Sequence, residues 1–279
     1  AWELAGVQPD PVHTVFTIGL EDEPDQMAAG AAAATDISLF KIKLNNDRPV
    51  ERIAAIREVR PDARLVVDVN QGWTFAELRD YGPAIGELGV EFIEQPLPRD
   101  GDAELEGYDS PVPLCADESC LHLAELEQSA SRYQMINIKL DKTGGLTHGL
   151  ELAHAIRDKG LGIMVGCMCG TSLAMAPHHV ICQLADYADI DGPLLLKRDR
   201  FGGRAEGGRD QHRPEDFLLH EPRRGGETGD ERRRVVAALF GHRDLRVVDL
   251  AGRAGDHVCN RLKLYRIDEC ADIDRLVER

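Results

Sequence analysis

Three carboxylates and two lysines recur along this chain at nearly even intervals, and together they could move a proton beside a metal ion. Lys43, Asp68, Glu94, Asp117, Lys139 and Asp189 lie 25, 26, 23, 22 and 50 residues apart. Asp68, Glu94 and Asp117 offer hard oxygen ligands. Such a set suits Mg²⁺, which binds few protein carboxylates and keeps positions for water or substrate. Lys43 precedes the three and Lys139 follows them. A lysine near cations or in a dry site loses proton affinity and can serve as a general base near neutral pH. Lys41 shares a strand face with Lys43, because strand residues two apart point the same way. Two readings of Lys41 stay open: it lowers the proton affinity of Lys43, or it is a counter-ion for the carboxylates.

These residues close short apolar runs: Leu39-Phe-Lys-Ile-Lys-Leu44, Leu65-Val-Val-Asp-Val-Asn70, Val90-Glu-Phe-Ile-Glu-Gln-Pro96, Val112-Pro-Leu-Cys-Ala-Asp-Glu-Ser119, Met135-Ile-Asn-Ile-Lys-Leu140 and Ala188-Asp-Ile-Asp-Gly192. The 50-residue gap is a double unit, since Gly162-Ile-Met-Val-Gly166 falls inside it. This spacing holds one strand, one helix and two loops, the repeat of a (β/α)8 TIM-like barrel. Strands are predicted over 13–20, 39–44, 64–70, 90–95, 112–117, 134–140, 161–167 and 187–191. Helices are predicted over 24–35, 48–59, 74–88, 146–159 and 172–185. The second carries Val50, Ile53, Ala54 and Ile56 at helical spacing and stops before Pro61. The third opens on Thr74 with Glu77 three residues on, a capping box. In such a barrel the C-terminal strand ends share one mouth, so the carboxylates would sit side by side with Lys43 and Lys139 facing each other across it.

Composition is that of a globular chain, with 43% hydrophobic and 29% charged residues. No run of about 18 apolar residues exists, which excludes a helical membrane span, and no secretory signal opens the sequence. Residues 1–196 hold 14 Lys and Arg against 32 Asp and Glu, which argues against nucleic acid and for a cation partner. Seven cysteines without paired zinc spacing fit free thiols of a reducing, cytoplasmic compartment. Cys167 and Cys169 read as small buried residues near a strand end rather than a soft-metal pair. Residues 1–12 precede the barrel, 13–196 form it, and 197–279 are an irregular extension rich in arginine and glycine. Within that extension 202–231 reads as linker, 232–240 as an amphipathic piece and 245–250 as β-like.

The set Lys41-Ile-Lys43, Asp68-Val-Asn70, Glu94-Gln-Pro96, Asp117-Glu-Ser119, Asn137-Ile-Lys139 and Lys142-Thr-Gly-Gly145 resembles the enolase superfamily, muconate-cycloisomerase branch. The resemblance runs over about residues 1–209. It implies lysine bases on opposite faces of the substrate and Mg²⁺ on Asp68, Glu94 and Asp117 stabilising an enediolate. Asp189-Ile-Asp191 at the end of the eighth strand is similar to dipeptide epimerases of the L-Ala-D/L-Glu type, where these carboxylates hold the free α-ammonium group. The strand Thr14-Val-Phe-Thr17 and the segments Gly166-Cys-Met168 and Thr171-Ser172 are similar to the same subgroup, and Thr17 and Met168 join Lys41 as substrate-binding candidates. The implied partner is a small dipeptide, and a homo-oligomer is left open.

The branch also carries an N-terminal capping domain that closes over the mouth, and here only Trp2-Glu-Leu-Ala-Gly6 resembles its end. Beyond Arg209 the chain departs from the family pattern, as a changed reading frame or a fusion would give. Two function classes therefore follow: an epimerase barrel, or a chain that binds metal and ligand without turnover. Within the enzymes the alternatives are o-succinylbenzoate synthase and N-acylamino-acid racemase. Their substrates lack a free ammonium group and would not need Asp189 and Asp191.

Overall fold

The structure, a computed structural model, describes residues 2–196, 199, 211 and 212. Eight parallel strands form one sheet in strict sequence order: β1 Phe16–Ile18, β2 Leu39–Lys43, β3 Arg64–Asp68, β4 Val90–Glu94, β5 Leu114–Ala116, β6 Met135–Lys139, β7 Gly162–Gly166 and β8 Tyr187–Asp189. A parallel bridge between Thr14 and Ala188, a bond from the Val15 N–H to the Ala188 carbonyl at 2.8 Å, and one from the Ile190 N–H to Thr14 Oγ1 at 2.9 Å bring the last strand back to the first. The result is a (β/α) barrel, as the spacing predicts.

The strand predicted over 13–20 is divided between three partners. Val12–His13 pairs antiparallel with Gln211–His212, Thr14 bridges β8, and Phe16–Ile18 pairs with β2. Gln211–His212 thus forms a short strand inside the stretch read as linker. The strand expected from 112 begins only at Leu114, because Pro113 has no N–H for the ladder. The amphipathic and β-like pieces of 232–250, like most of the extension, lie outside the described residues.

Helices at Pro24–Ala33, Pro49–Val59, Phe75–Glu87, Leu146–Asp158 and Ser172–Cys182 follow the expected spans within three residues. The Thr74 capping box forms: the Glu77 N–H donates to Thr74 Oγ1 at 3.3 Å, and the Thr74 N–H donates to Glu77 Oε2 at 2.7 Å. A 3-10 segment, Arg99–Leu105, and a short helix, Leu126–Ala130, fill the two connections flanking β5, where no amphipathic period is visible. Among the described residues no helix is long and apolar enough to cross a membrane.

The core is double. A large apolar layer lies between strands and helices. A second, smaller cluster of Val15, Leu39, Val66, Phe92, Cys115, Met135 and Met164, with Tyr187 against it, plugs the barrel interior. Strand side chains alternate, so the residue two positions further on from each of these points to the same interior, one layer nearer the C-terminal mouth. Those residues are Thr17, Lys41, Asp68, Glu94, Asp117, Asn137, Gly166 and Asp189. The period-two pleat therefore converts an apolar plug into a polar floor in a single step.

Candidate active site

Asp68, Glu94 and Asp117 stand on the adjacent strands β3, β4 and just past β5, with Asp68 directly opposite Glu94 in the ladder. Their exposures are 0%, 0% and 1%. Burial raises the Glu94 carboxyl, the neighbouring Asp68 charge raises it further, and it is pushed up to about 7. Burial also acts on Asp68, but Lys41 and Lys43 outweigh it and hold that carboxyl below its ordinary value.

Ammonium groups surround these carboxylates. Lys43 donates to Asp68 Oδ2 at 2.6 Å and to Asn70 Oδ1 at 2.7 Å. Lys139 donates to Asp117 Oδ2 at 2.7 Å and lies 3.9 Å from Glu94 Oε1. Lys41 contacts Asp189 directly and sits 3.7 Å from Asp68 and 3.6 Å from Glu94. Burial works to lower the proton affinity of Lys41, yet the surrounding charges of Asp189, Glu94 and Asp68 hold it well above the usual lysine value. Lys139 is raised in the same way, burial being outweighed by Glu94 and Asp117. Of the two readings of Lys41, the geometry favours the counter-ion. As placed, no three His, Cys, Asp or Glu side chains among the described residues converge as a ready-made metal cage.

The fit to a divalent cation is nevertheless good. Glu94 Oε2 is buried without a hydrogen-bond partner. Lys41, Lys43, Lys139 and Lys142 face six carboxylates, namely Asp68, Glu94, Asp117, Glu118, Asp189 and Asp191, which leaves two formal negative charges unmatched. A buried, uncompensated carboxylate set is stable only with further positive charge or protonation.

Above this floor opens a cavity of about 250 Å³ whose walls include Lys43, Lys139, Asp189, Asp191, Thr17 and Met168. In the strand order, β2 and β6 stand four places apart in a ring of eight, so Lys43 and Lys139 reach the cavity from opposite sides. Asp189 and Asp191 are 3% exposed, and both border the cavity. Asp191 Oδ2 accepts from the Thr17 N–H at 2.9 Å. Burial first, then the Asp189 charge, pushes the Asp191 carboxyl up to about 6. Thr17 thus acts through its backbone, while Met168 is 48% exposed at the rim. Cys167 is half-buried, and burial pushes its thiol up to about 12. Cys169 is exposed, against the expectation of burial, because it lies past the end of β7 in the loop bordering the cavity.

Gly166 is required by close approach. A Cβ there would stand 2.6 and 2.7 Å from the Asn137 amide atoms and 2.9 Å from Lys139 Cε. Asn137 in turn donates to Glu94 Oε1 at 2.6 Å. Several site residues lie outside the set picked from spacing. Lys142 donates to Asp117 Oδ1 at 2.8 Å and lies 3.4 Å from Glu118, and both line the cavity. Asn70 and Gln95 adopt left-handed backbone, φ 46° and 37°, directly beyond β3 and β4. Such strain in non-glycine residues gathers at functional sites. Its only sequence signal is that each sits inside a motif with a carboxylate.

An eight-stranded parallel barrel with buried carboxylates and facing lysines at its C-terminal mouth has the arrangement that acid–base chemistry requires. Residues 25–214 match the enolase C-terminal domain-like family, and the chain belongs to it. It is 44% identical over 179 residues to an N-acetyl-D-glutamate racemase from a Pseudoalteromonas species, covering 64% of this chain and 57% of that protein. It is 42% identical over 200 residues to the L-Ala-D/L-Glu epimerase of Escherichia coli K12, covering 71% and 62%. Among solved structures, an enolase family member from Agrobacterium tumefaciens with homology to dipeptide epimerases, holding sodium and L-Ala-L-Glu, is 43% identical with TM-score 0.72, covering 76% and 66%. A dipeptide epimerase from Enterococcus faecalis, complexed with Mg and L-Leu-L-Tyr, is 28% identical with TM-score 0.66, covering 71% and 59%. The chain thus spans about three fifths of the length of the curated relatives it matches.

Proposed function

We propose that this chain is the catalytic barrel of a Mg²⁺-dependent dipeptide epimerase, which inverts the carbon α to a carboxylate by 1,1-proton transfer. The observation that carries the reading is the placement of Lys43 and Lys139 on opposite walls of one cavity, above buried carboxylates. Inversion needs a base on one face of the α-carbon and an acid on the other, and strands β2 and β6 supply that relation. The α-proton leaves to the neutral amine of one lysine, its bonding pair passes into the substrate carboxylate, and the opposite lysine delivers a proton to the other face. Asp68, Glu94 and Asp117 would hold Mg²⁺, which would supply electrostatic stabilisation of the charge developing on the substrate carboxylate and offset the carboxylate field of Glu94 and Asp117 that raises Lys139. Lys142, hydrogen-bonded to Asp117, adds a positive charge on the side of Lys139.

Asp189 and Asp191 support a dipeptide as the substrate class. Two buried carboxylates bordering the cavity fit the free α-ammonium group of a dipeptide such as L-Ala-L-Glu. A second reading, racemisation of N-acylated amino acids, draws on Asp189 already being paired with Lys41 and on the likeness to the N-acetyl-D-glutamate racemase. The two separate in one assay of the full chain with free and N-acetylated L-Ala-L-Glu and with N-acetylglutamate. The dipeptide reading predicts that acetylation lowers kcat/KM at least a hundredfold, as loss of a partly desolvated charge contact does. Equal or faster turnover of the acetylated substrates transfers the assignment to the racemase.

A further inference from the structure

A buried polar network runs from behind the barrel wall to the backbone of Asp117, and it carries an inference that rests on the reading of Asp117 as a metal ligand. Gln95 is 0% exposed, and its Oε1 accepts from the N–H groups of Asp117 at 2.9 Å and Ser119 at 3.1 Å. It therefore pins the start of the loop after β5 by two main-chain bonds. Its Nε2 faces three acceptors: Leu97 O at 2.9 Å, Ser119 Oγ at 2.8 Å and Tyr133 OH at 3.1 Å.

The polarity of the two hydroxyls is set one step further out. Asp102, 2% exposed on the Arg99–Leu105 segment, accepts from Ser119 Oγ at 2.6 Å and from Tyr133 OH at 2.9 Å. Its other oxygen accepts from Arg132 Nη1 at 2.6 Å. Each hydroxyl has one proton, and both are spent on the carboxylate. Their oxygens are left as acceptors, and with Leu97 O they face the two protons of the Gln95 NH₂. The amide cannot turn over, so its oxygen must face Asp117 and Ser119. Replace the carboxylate by an amide and this polarity is lost. A hydroxyl is then free to turn its proton toward the Gln95 NH₂, donor against donor. Leu97 O and the two N–H groups still fix which way the amide faces, so the repulsion displaces Gln95 and with it the bond to the Asp117 N–H.

We propose that Asp102 is a positioning residue for the metal site, acting through Ser119, Tyr133 and Gln95 on the backbone that carries Asp117. Outer partners of metal ligands typically change affinity by about 10–100-fold when removed. Mg²⁺ binding to the full chain, followed by calorimetry, tests this with four variants. Asp102→Asn should weaken Mg²⁺ about 10–100-fold, and Tyr133→Phe, which removes one hydroxyl at little risk to folding, should weaken it several-fold. Arg99→Gln breaks the ion pair with Glu125 on the same segment without touching Gln95 or Ser119. It should lower the melting temperature and leave the affinity within twofold. Asp117→Ala should abolish binding. Wild-type affinity in Tyr133→Phe and in any folded Asp102→Asn, with binding lost in Asp117→Ala, overturns the positioning role and leaves the metal reading intact. Equal weakening by Arg99→Gln overturns it too, since general destabilisation would then explain the effect. Full binding by Asp117→Ala removes the premise and the proposal together.

Discussion

Replacing Lys41 by methionine should destabilise the barrel strongly when no divalent cation is present, and Mg²⁺ should restore much of the loss. Lys41 is 4% exposed, touches Asp189, and stands 3.7 Å from Asp68 and 3.6 Å from Glu94. Methionine keeps most of the volume and deletes the charge, so the change isolates electrostatics. Removing one partner of a buried ion pair costs about 3–5 kcal/mol, because the other charge is left uncompensated. Three carboxylates share this ammonium, which puts the loss toward the upper part of that range above pH 7. Near pH 5.5 it should shrink, since Glu94 is pushed up to about 7 and can take a proton instead. At roughly 2–4 °C per kcal/mol for a domain of this size, the melting temperature in chelator at pH 8 should fall by about 6–20 °C. A cation that binds only the folded state adds about 2.7 kcal/mol at a hundred times its Kd, which recovers more than half. Scanning calorimetry of wild type and variant, with chelator and with Mg²⁺ at pH 8 and 5.5, gives eight melting temperatures and so the four shifts between wild type and variant. A shift under 2 °C in chelator at pH 8 would refute the counter-ion assignment and return Lys41 to the substrate.

Other consequences are equally direct. Glu94 binds its proton more tightly folded than unfolded, so without a divalent cation stability should decline as pH rises from the ordinary carboxylate value toward about 7 and level off above it. Mg²⁺ must displace that proton. Its apparent affinity should therefore fall about tenfold per unit below pH 7, with proton release visible by calorimetry in buffers of different ionisation heat. A flat affinity between pH 5 and 7 contradicts this. Gly166→Ala places a methyl group against Asn137 and Lys139. It should lower kcat about a hundredfold, as displacement of a catalytic group by about 1 Å does. It should also destabilise by about 1–3 kcal/mol of overpacking, and steady-state kinetics with a melting curve checks both.

The legible part of this site was the part that the βα repeat dictates. Asp68, Glu94, Lys43 and Lys139 each end a strand whose length is set by the same barrel, so regular spacing exposes them. Thr74 and Glu77 announce their helix by a local hydrogen-bond exchange that needs no tertiary context. Features that arise only when distant segments meet were hidden. The division of residues 12–18 among three partners depends on where β8 returns. The role of Asp102 depends on Tyr133 and Gln95 folding against it, and the 3-10 segment that carries it has no period to read. Lys41 was legible as one candidate counter-ion of the carboxylates, but strand alternation gives its face and not its neighbours, so its direct contact with Asp189 was hidden. Cys169 read as buried because its apolar surroundings continue β7, whereas the strand has already ended at Gly166.

The central claim is proton transfer at the α-carbon by two lysines on opposite faces. The measurement that meets it most directly is NMR of L-Ala-L-Glu and L-Ala-D-Glu incubated with the Mg²⁺-loaded chain in D₂O. The account predicts deuterium at the α-carbon of glutamate together with inversion in the wild type. Lys43→Ala and Lys139→Ala should each lose inversion, and each should abolish exchange from a different stereoisomer. Exchange lost from the same isomer in both variants, or retained from both in either, would contradict the two-base account.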